Sequence, residues 1–274
     1  MKSKLIIIAL LAFVLQAPAQ DSTKTNLPDS IGVRSDTTQP HSETRRGYHW
    51  HDWDYWRPYP RRAKPTNLST NWFVVDLGFA NYNDKTNYAD PSAQAFAPGS
   101  SDYWFSLKNN KSVNVNIYLF MQRLNLIKHV VNLKYGFGIE LNNYRYSTNI
   151  KYHWDPTTVV MDTVPYSKNK LAADYFNIPL MLNFNFTPGL EDGFGLSVGV
   201  SAGYLYSSRQ KLVSDEFGKH KYHDDFDLRP WKLSWVAELL LGPIKFYGSY
   251  ATQSMFKKGL DQTPYTVGIR LSKW

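Results

Sequence analysis

Phe194-Gly195-Leu196-Ser197-Val198-Gly199-Val200-Ser201-Ala202-Gly203-Tyr204-Leu205-Tyr206 is the stretch on which the fold turns. Phe194, Leu196, Val198, Val200, Ala202, Tyr204 and Tyr206 are apolar, while Gly195, Ser197, Gly199, Ser201 and Gly203 between them are small or polar. A period of two describes an extended strand with one apolar face and one wet face. The pattern returns in about eight segments from Trp72 onward. Phe73, Val75, Leu77 and Phe79 alternate with Val74, Asp76, Gly78 and Ala80, and Val113, Val115, Ile117 and Leu119 oppose Asn114, Asn116, Tyr118 and Gln122. Leu133, Tyr135, Phe137 and Ile139 stand against Lys134, Gly136, Gly138 and Glu140, and Phe176, Ile178, Leu180 and Leu182 against Asn177, Pro179 and Met181. Trp231, Leu233, Trp235 and Leu239 face away from Lys232, Ser234 and Glu238. Ile244, Phe246 and Tyr250 alternate with Lys245, Tyr247 and Ser249, and Val267, Ile269 and Leu271 with Thr266, Gly268 and Arg270.

Connections between these segments are alternately short and long. Short ones lie near 125–128, 187–193 and 242–243; long polar ones cover 83–111, 149–172, 208–230 and 254–264. The expected fold is therefore all-β: a transmembrane antiparallel up-and-down β-barrel of about eight strands, with short periplasmic turns, long external loops and both termini in the periplasm. A soluble lipocalin-like barrel or β-sandwich also alternates, but neither requires loops of alternating length or an apolar face bounded by Trp and Tyr. Two features resist. Pro179 deletes a ladder hydrogen bond inside a strand, and a closed barrel has no edge to excuse it. The segment 157–166, with Val159, Val160 and Val164, reads as an extra hairpin, as an extension of its neighbours, or as a pair raising the count to ten; eight is preferred.

Residues 1–19 read as a secretory signal peptide, with Lys2 and Lys4 before an apolar run and Ala17-Pro18-Ala19 as the cleavage site. That run is too short for a spanning helix, and no other stretch approaches the roughly 20 apolar residues one needs. The chain has no cysteine, which removes disulfides, thiolate metal sites and a lipidated cysteine. Aromatic residues make up 16%, suiting girdles at two water–lipid boundaries. The net charge of +8 is spread along the chain and points to an anionic membrane surface, not to nucleic acid. Residues 20–66 form an extension, polar and disordered at first. It then becomes aromatic and basic, with Trp50, Trp53, Trp56 and Tyr59 interleaved with Arg57, Arg61 and Arg62. The barrel domain is expected over 67–274.

The segment Tyr175-Phe176-Asn177-Ile178-Pro179-Leu180-Met181-Leu182 resembles the PorT-like outer-membrane β-barrel family of Bacteroidota, which shares an aromatic-x-Ile-Pro-Leu-x-Leu strand after a long loop. Tyr135-Gly136-Phe137-Gly138-Ile139-Glu140 and Val267-Gly268-Ile269-Arg270-Leu271 fit the same pattern, and the resemblance covers roughly 72–274. It implies an outer-membrane barrel, and one branch of that family supports a protein-secretion system. At the C-terminus, Lys273 interrupts the apolar face that the barrel-assembly machinery reads, and Trp274 falls in the other register as an interfacial anchor.

Alternation sends Asp76, Glu140 and Glu238 inward together with Lys134, Lys232, Lys245 and Arg270. An interior of about eight strands is just wide enough to be filled by side chains, so these charges are expected to pair into a polar plug rather than line a proton or ion path. A lipid-modifying enzyme or protease would need a nucleophile and base at the outer rim. The nearest candidates are Ser207 or Ser208 with His220, His223, Asp224 and Asp225, at no motif spacing. His49 and His51 with Asp52 and Asp54 make too weak and flexible a set for a metal, so no metal or cofactor is expected. The aromatic-basic tail suits docking on the inner leaflet or on a periplasmic or secretion-system partner. The resulting expectation is a non-enzymatic outer-membrane protein, contacting outer-membrane lipid and acting by binding or as an envelope accessory. Narrow-pore transport and lipid modification stand as the alternatives.

Overall fold

The computed structural model describes residues 66–188, 190 and 193–273. The expected signal segment, the aromatic-basic extension and the Trp274 anchor lie outside the described residues.

Eleven strands run antiparallel: β1 (Leu68–Asp84), β2 (Val113–Ile127), β3 (Val131–Tyr146), β4 (Ile150–His153), β5 (Thr158–Met161), β6 (Lys168–Asn185), β7 (Phe194–Ser214), β8 (Gly218–His223), β9 (Trp231–Leu241), β10 (Ile244–Ala251) and β11 (Gln262–Leu271). The order β1-β2-β3-β6-β7-β9-β10-β11 closes when β11 pairs with β1, giving a ring of eight strands. β8 adds only to the far end of β7, and β4 and β5 form a separate hairpin. The 157–166 segment thus contributes to a hairpin that stays out of the ring. Closure leaves no unpaired sheet edge within the ring, which is the condition for crossing hydrocarbon with strands.

The short connections after β2, β6 and β9 join strand ends at one end of the ring, and the four long connections join them at the other. A tilted strand crosses a bilayer in about 9–11 residues. β9 and β11, at 11 and 10 residues, match that length, and β10, at 8, falls one short. β3, β6 and β7, at 16, 18 and 21 residues, run past it and raise a taller wall on one side of the outer mouth. The first long connection carries a short helix, α1 (Pro91–Phe96), started by Pro91 and by Asp90, whose side chain accepts from the Ser92 amide.

Among the described residues the outward face is apolar and exposed: Trp235 is 63% exposed and Val267 57%, while Lys134 on the inner face is fully buried. This inverts a soluble protein's arrangement, and hydrocarbon is the solvent that suits it. Phe176, Tyr204, Tyr206, Trp231 and Tyr250 mark its outer margin, and Trp72, Phe73, Phe186 and Phe194 the inner one.

Alternation fails where bulges intervene. Phe73 has φ 55°, so Trp72 and Phe73 both face out, and the β2–β3 register shifts between Tyr118 and Phe120. Beyond that point Met121, not Gln122, is buried inside. The assignment of Gln122 to the lumen is corrected: it bonds Thr70 on an exposed face. In β7 a second bulge leaves Tyr206 outside the pairing, so Leu205 opposes Tyr175 and the inward positions become Ser208, Gln210 and Leu212. Pro179 is buried toward the lumen and pairs with Ser201 of β7, while the β3–β6 ladder lapses beside it between Tyr135 and Gly138. The missing amide is therefore absorbed on one side of the strand only.

Candidate functional site

The interior is built in two tiers. In the membrane tier Asp76 and Arg270 are direct cross-strand partners of β1 and β11, and that register sets a bidentate ion pair with both contacts at 2.7 Å. Lys134 on β3 reaches across the lumen to Glu238 on β9 at 2.5 Å, and Lys232 on β9 reaches back to Glu140 on β3. Two ion pairs thus tie β3 to β9, strands that are not neighbours in the ring. Arg270 also approaches Glu238 at 3.4 Å, which joins two of the pairs. Lys245 turns toward the turn-side end and donates to the Ser272 carbonyl at 2.7 Å.

Neutral groups fill the remaining hydrogen-bond positions. Asn116 donates to Asp76, Asn142 and Asn177 to Glu140, and Ser197 to Glu238. The Tyr118 and Tyr247 rings lie 5.3 and 5.9 Å from the Arg270 guanidinium. Space for the Tyr247 ring comes from the facing pair Gly78 and Gly268. A Cβ on Gly78 would sit 2.4 Å from the Val267 carbonyl oxygen and 2.6 Å from the Tyr247 hydroxyl. A void lined by Asn116, Glu140, Asn177, Ser201 and Arg270 amounts to about 20 Å³, room for a single water. Arg123, which the bulge in β2 turns inward, joins Asn183, Asn185 and Leu240 lower in the barrel. Sequence alternation missed it. The doublet Trp72-Phe73 and the run Leu119-Phe120-Met121 were the visible signs that alternation breaks there.

The outer tier is apolar and comes largely from the loops. Phe96 of α1, Phe105, Tyr152, Val159, Phe226, Met255, Phe256 and Leu260 pack as one cluster with Tyr82, Tyr144, Tyr146 and Tyr175 from the strands. Tyr152 is the meeting point, its ring 5.4 Å from Phe226 and 6.4 Å from Phe256, with Phe96 in turn 5.6 Å from Phe256. All four long connections therefore converge over the lumen. Two amides on the strands hold the β4–β5 hairpin in the mouth. Gln210 accepts from the Tyr152 amide and donates to the Ile150 carbonyl, both at 3.0 Å, and Asn169 donates to Ile150 at 2.6 Å. Burial pushes the Tyr152 phenol well above its ordinary value, so it stays neutral. Lys257 donates to Asp225 at 2.8 Å and holds that carboxyl below the usual range, linking the third and fourth loops at the surface.

The rim residues considered for catalysis are not assembled. The Ser208 hydroxyl donates to the Asp224 carbonyl, the His220 Nε2 lies 2.7 Å from the Phe217 carbonyl, and His223 stands opposite Arg209. Among the described residues no group of three His, Cys, Asp or Glu side chains gathers to hold a metal. On the outer wall Ala237 and Gly248 leave an open groove of about 880 Å³ beside Val198, Trp235, Tyr250 and Val267, facing the hydrocarbon. Trp50, Trp53, Trp56, Tyr59, Arg57, Arg61 and Arg62 fall outside the described residues.

Comparison with known proteins gives two findings. The family model described as outer membrane protein beta-barrel domain matches residues 67–252. Among solved structures, the chain is similar to Ail, the attachment invasion locus protein of Yersinia pestis, in complex with the heparin analogue sucrose octasulfate. Identity is 11% and the TM-score 0.33, over 75% of this chain and 100% of that one. No curated protein matches the chain.

Proposed function

The chain belongs to the outer membrane protein beta-barrel family and resides in the outer membrane, and from that premise we propose that it is a closed, non-enzymatic barrel. It works by binding, through its external loops or its periplasmic extension, as an accessory of the cell envelope. The observation that carries this reading is the doubly filled interior: paired charges across the membrane tier, and an aromatic cluster over them drawn from all four long connections. A solute path would have to break both. A hydrolytic role lacks a nucleophile bonded to a base among the described rim residues.

With the lumen filled, surfaces remain. Tyr103, Trp154 and Phe217 sit on the first, second and third external connections at 66%, 51% and 55% exposure. Aromatic side chains on a supported rim are the usual anchors of protein recognition. The Tyr175–Leu182 resemblance to the PorT-like family, one branch of which supports a secretion system, and the aromatic-basic extension favour a partner in secretion or envelope assembly. The test is photo-crosslinking in intact cells from positions 103, 154 and 217, and from 53 and 56. A discrete protein adduct from either group is expected. Recovery of lipid adducts alone from every position would contradict the binding role.

A further inference from the structure

The tall side of the barrel carries a feature that folding does not need. Outside the girdle of Phe176, Tyr204 and Tyr206, β3, β6, β7 and β8 continue in register, with Arg145 opposite Lys170, Lys170 opposite Lys211, and Lys211 opposite Lys221. The inward positions beside them are filled by Tyr144, Tyr146, Leu171, Gln210 and Leu212, so all four cations point away from the barrel axis. Adjacent strands lie about 4.8 Å apart, so the row is a straight line of like charges on neighbouring strands. Lys168 and Lys219 stand in the next row outward, across Val213, and Arg209 and His223 in the next row inward.

Like charges directly opposite one another destabilise a sheet. Little within the protein relieves them. Asp174 on β6 is a carboxylate on this face, and it pairs with Arg209. Arg145 donates to the Ser167 carbonyl at 2.8 Å, and Lys170 to Asn143 at 2.5 Å. Lys168, Lys211, Lys219 and Lys221 form no ion pair among the described residues. Burial, and then the charges of Lys168, Arg209 and Lys211, bring the Lys170 ammonium down to about 8.

Position selects the partner. At about 3.3 Å per residue and a tilt near 40°, Arg209 stands roughly 8 Å and Lys211 roughly 13 Å beyond Tyr206 along the membrane normal. That is the headgroup layer and its outer margin, and the row faces sideways into it. A soluble polyanion would meet the loop tips first. We propose that this lateral basic face binds the phosphates of an outer-leaflet glycolipid, whose acyl chains lie below against Ile178, Val200 and Ala202. The surface is separate from the loop tips and the extension, and stands whether or not the binding role above does.

The full chain, refolded in zwitterionic detergent, is titrated by native mass spectrometry with a diphosphorylated glucosamine-disaccharide lipid, with the same lipid lacking phosphates, and with glucose 1,6-bisphosphate. The diphosphorylated lipid is expected to bind at least tenfold tighter than either of the others. Neutralising Lys168, Lys170, Lys211 and Lys221 together to Gln is expected to weaken its binding by roughly a hundredfold, with heat-dependent gel mobility confirming a folded barrel. Equal affinity of the wild-type chain for both lipids would overturn the proposal without recourse to the variant. So would bisphosphate binding as tightly as the phosphorylated lipid, which would make the row a site for soluble anions.

Discussion

Asp76 and Arg270 show how a residue's place in the sequence becomes a bond: each is an inward position of its own strand, and closure of the ring puts them opposite one another. Glu238 shows the energetic stake, since it is fully buried and accepts from Lys134 and Ser197 with Arg270 close by. Breaking a buried pair from one side strands the other charge and costs about 3–5 kcal/mol. Glu238→Gln is therefore expected to lower the unfolding free energy by about 3 kcal/mol, measured by reversible urea unfolding in lipid vesicles. Adding Lys134→Met should recover part of that loss because it removes one of the stranded cations. A loss below 1 kcal/mol would mean that water already screens the network. At this scale the inward placement of Asp76, Lys134, Glu140 and Arg270 was legible because their strands keep a period of two. Arg123 was not, because one extra residue in a bulge reverses every side chain beyond it.

Strands were more legible than connections. Alternation locates β1, β2, β3, β6, β7, β9, β10 and β11 because hydrocarbon demands an apolar outer face, which leaves a strong mark on the sequence. The loops obey another rule. Their apolar residues, such as Phe96, Tyr152, Phe226 and Phe256, are scattered among polar ones with no period, since each contributes one side chain to a shared cluster. Nothing local in the sequence announces that they converge. The hairpin β4–β5 depends on Gln210, a buried polar residue on an external stretch of strand whose purpose appears only in its bonds to the Tyr152 amide and Ile150 carbonyl. Gln210→Leu leaves the Tyr152 amide buried and unpaired and the Ile150 carbonyl with Asn169 alone, at about 1–3 kcal/mol. Hydrogen exchange across 150–161 should accelerate roughly thirtyfold while β9 to β11 stay unchanged. Unchanged exchange in the hairpin would show that the aromatic cluster alone holds the cap.

For the whole molecule, one asymmetry organises the rest. Short turns at one end and long connections at the other give a large outer mouth, and the extra length of β3, β6 and β7 raises a wall on one side of it. The eight-strand ring was readable from the sequence; the extent of closure was not, because it depends on ion pairs and ring contacts between segments as far apart as Lys134 and Glu238. The proposed function rests on closure: with the interior filled, the loops and the lateral wall are the surfaces proposed to bind, beside the extension proposed from its sequence. Conductance across a planar bilayer tests this most directly. Reconstituted wild-type chain at plus and minus 100 mV, a potential worth about 2.3 kcal/mol per charge, is expected to show no single-channel steps above the bare membrane. Stable, reproducible steps from the intact chain would contradict it.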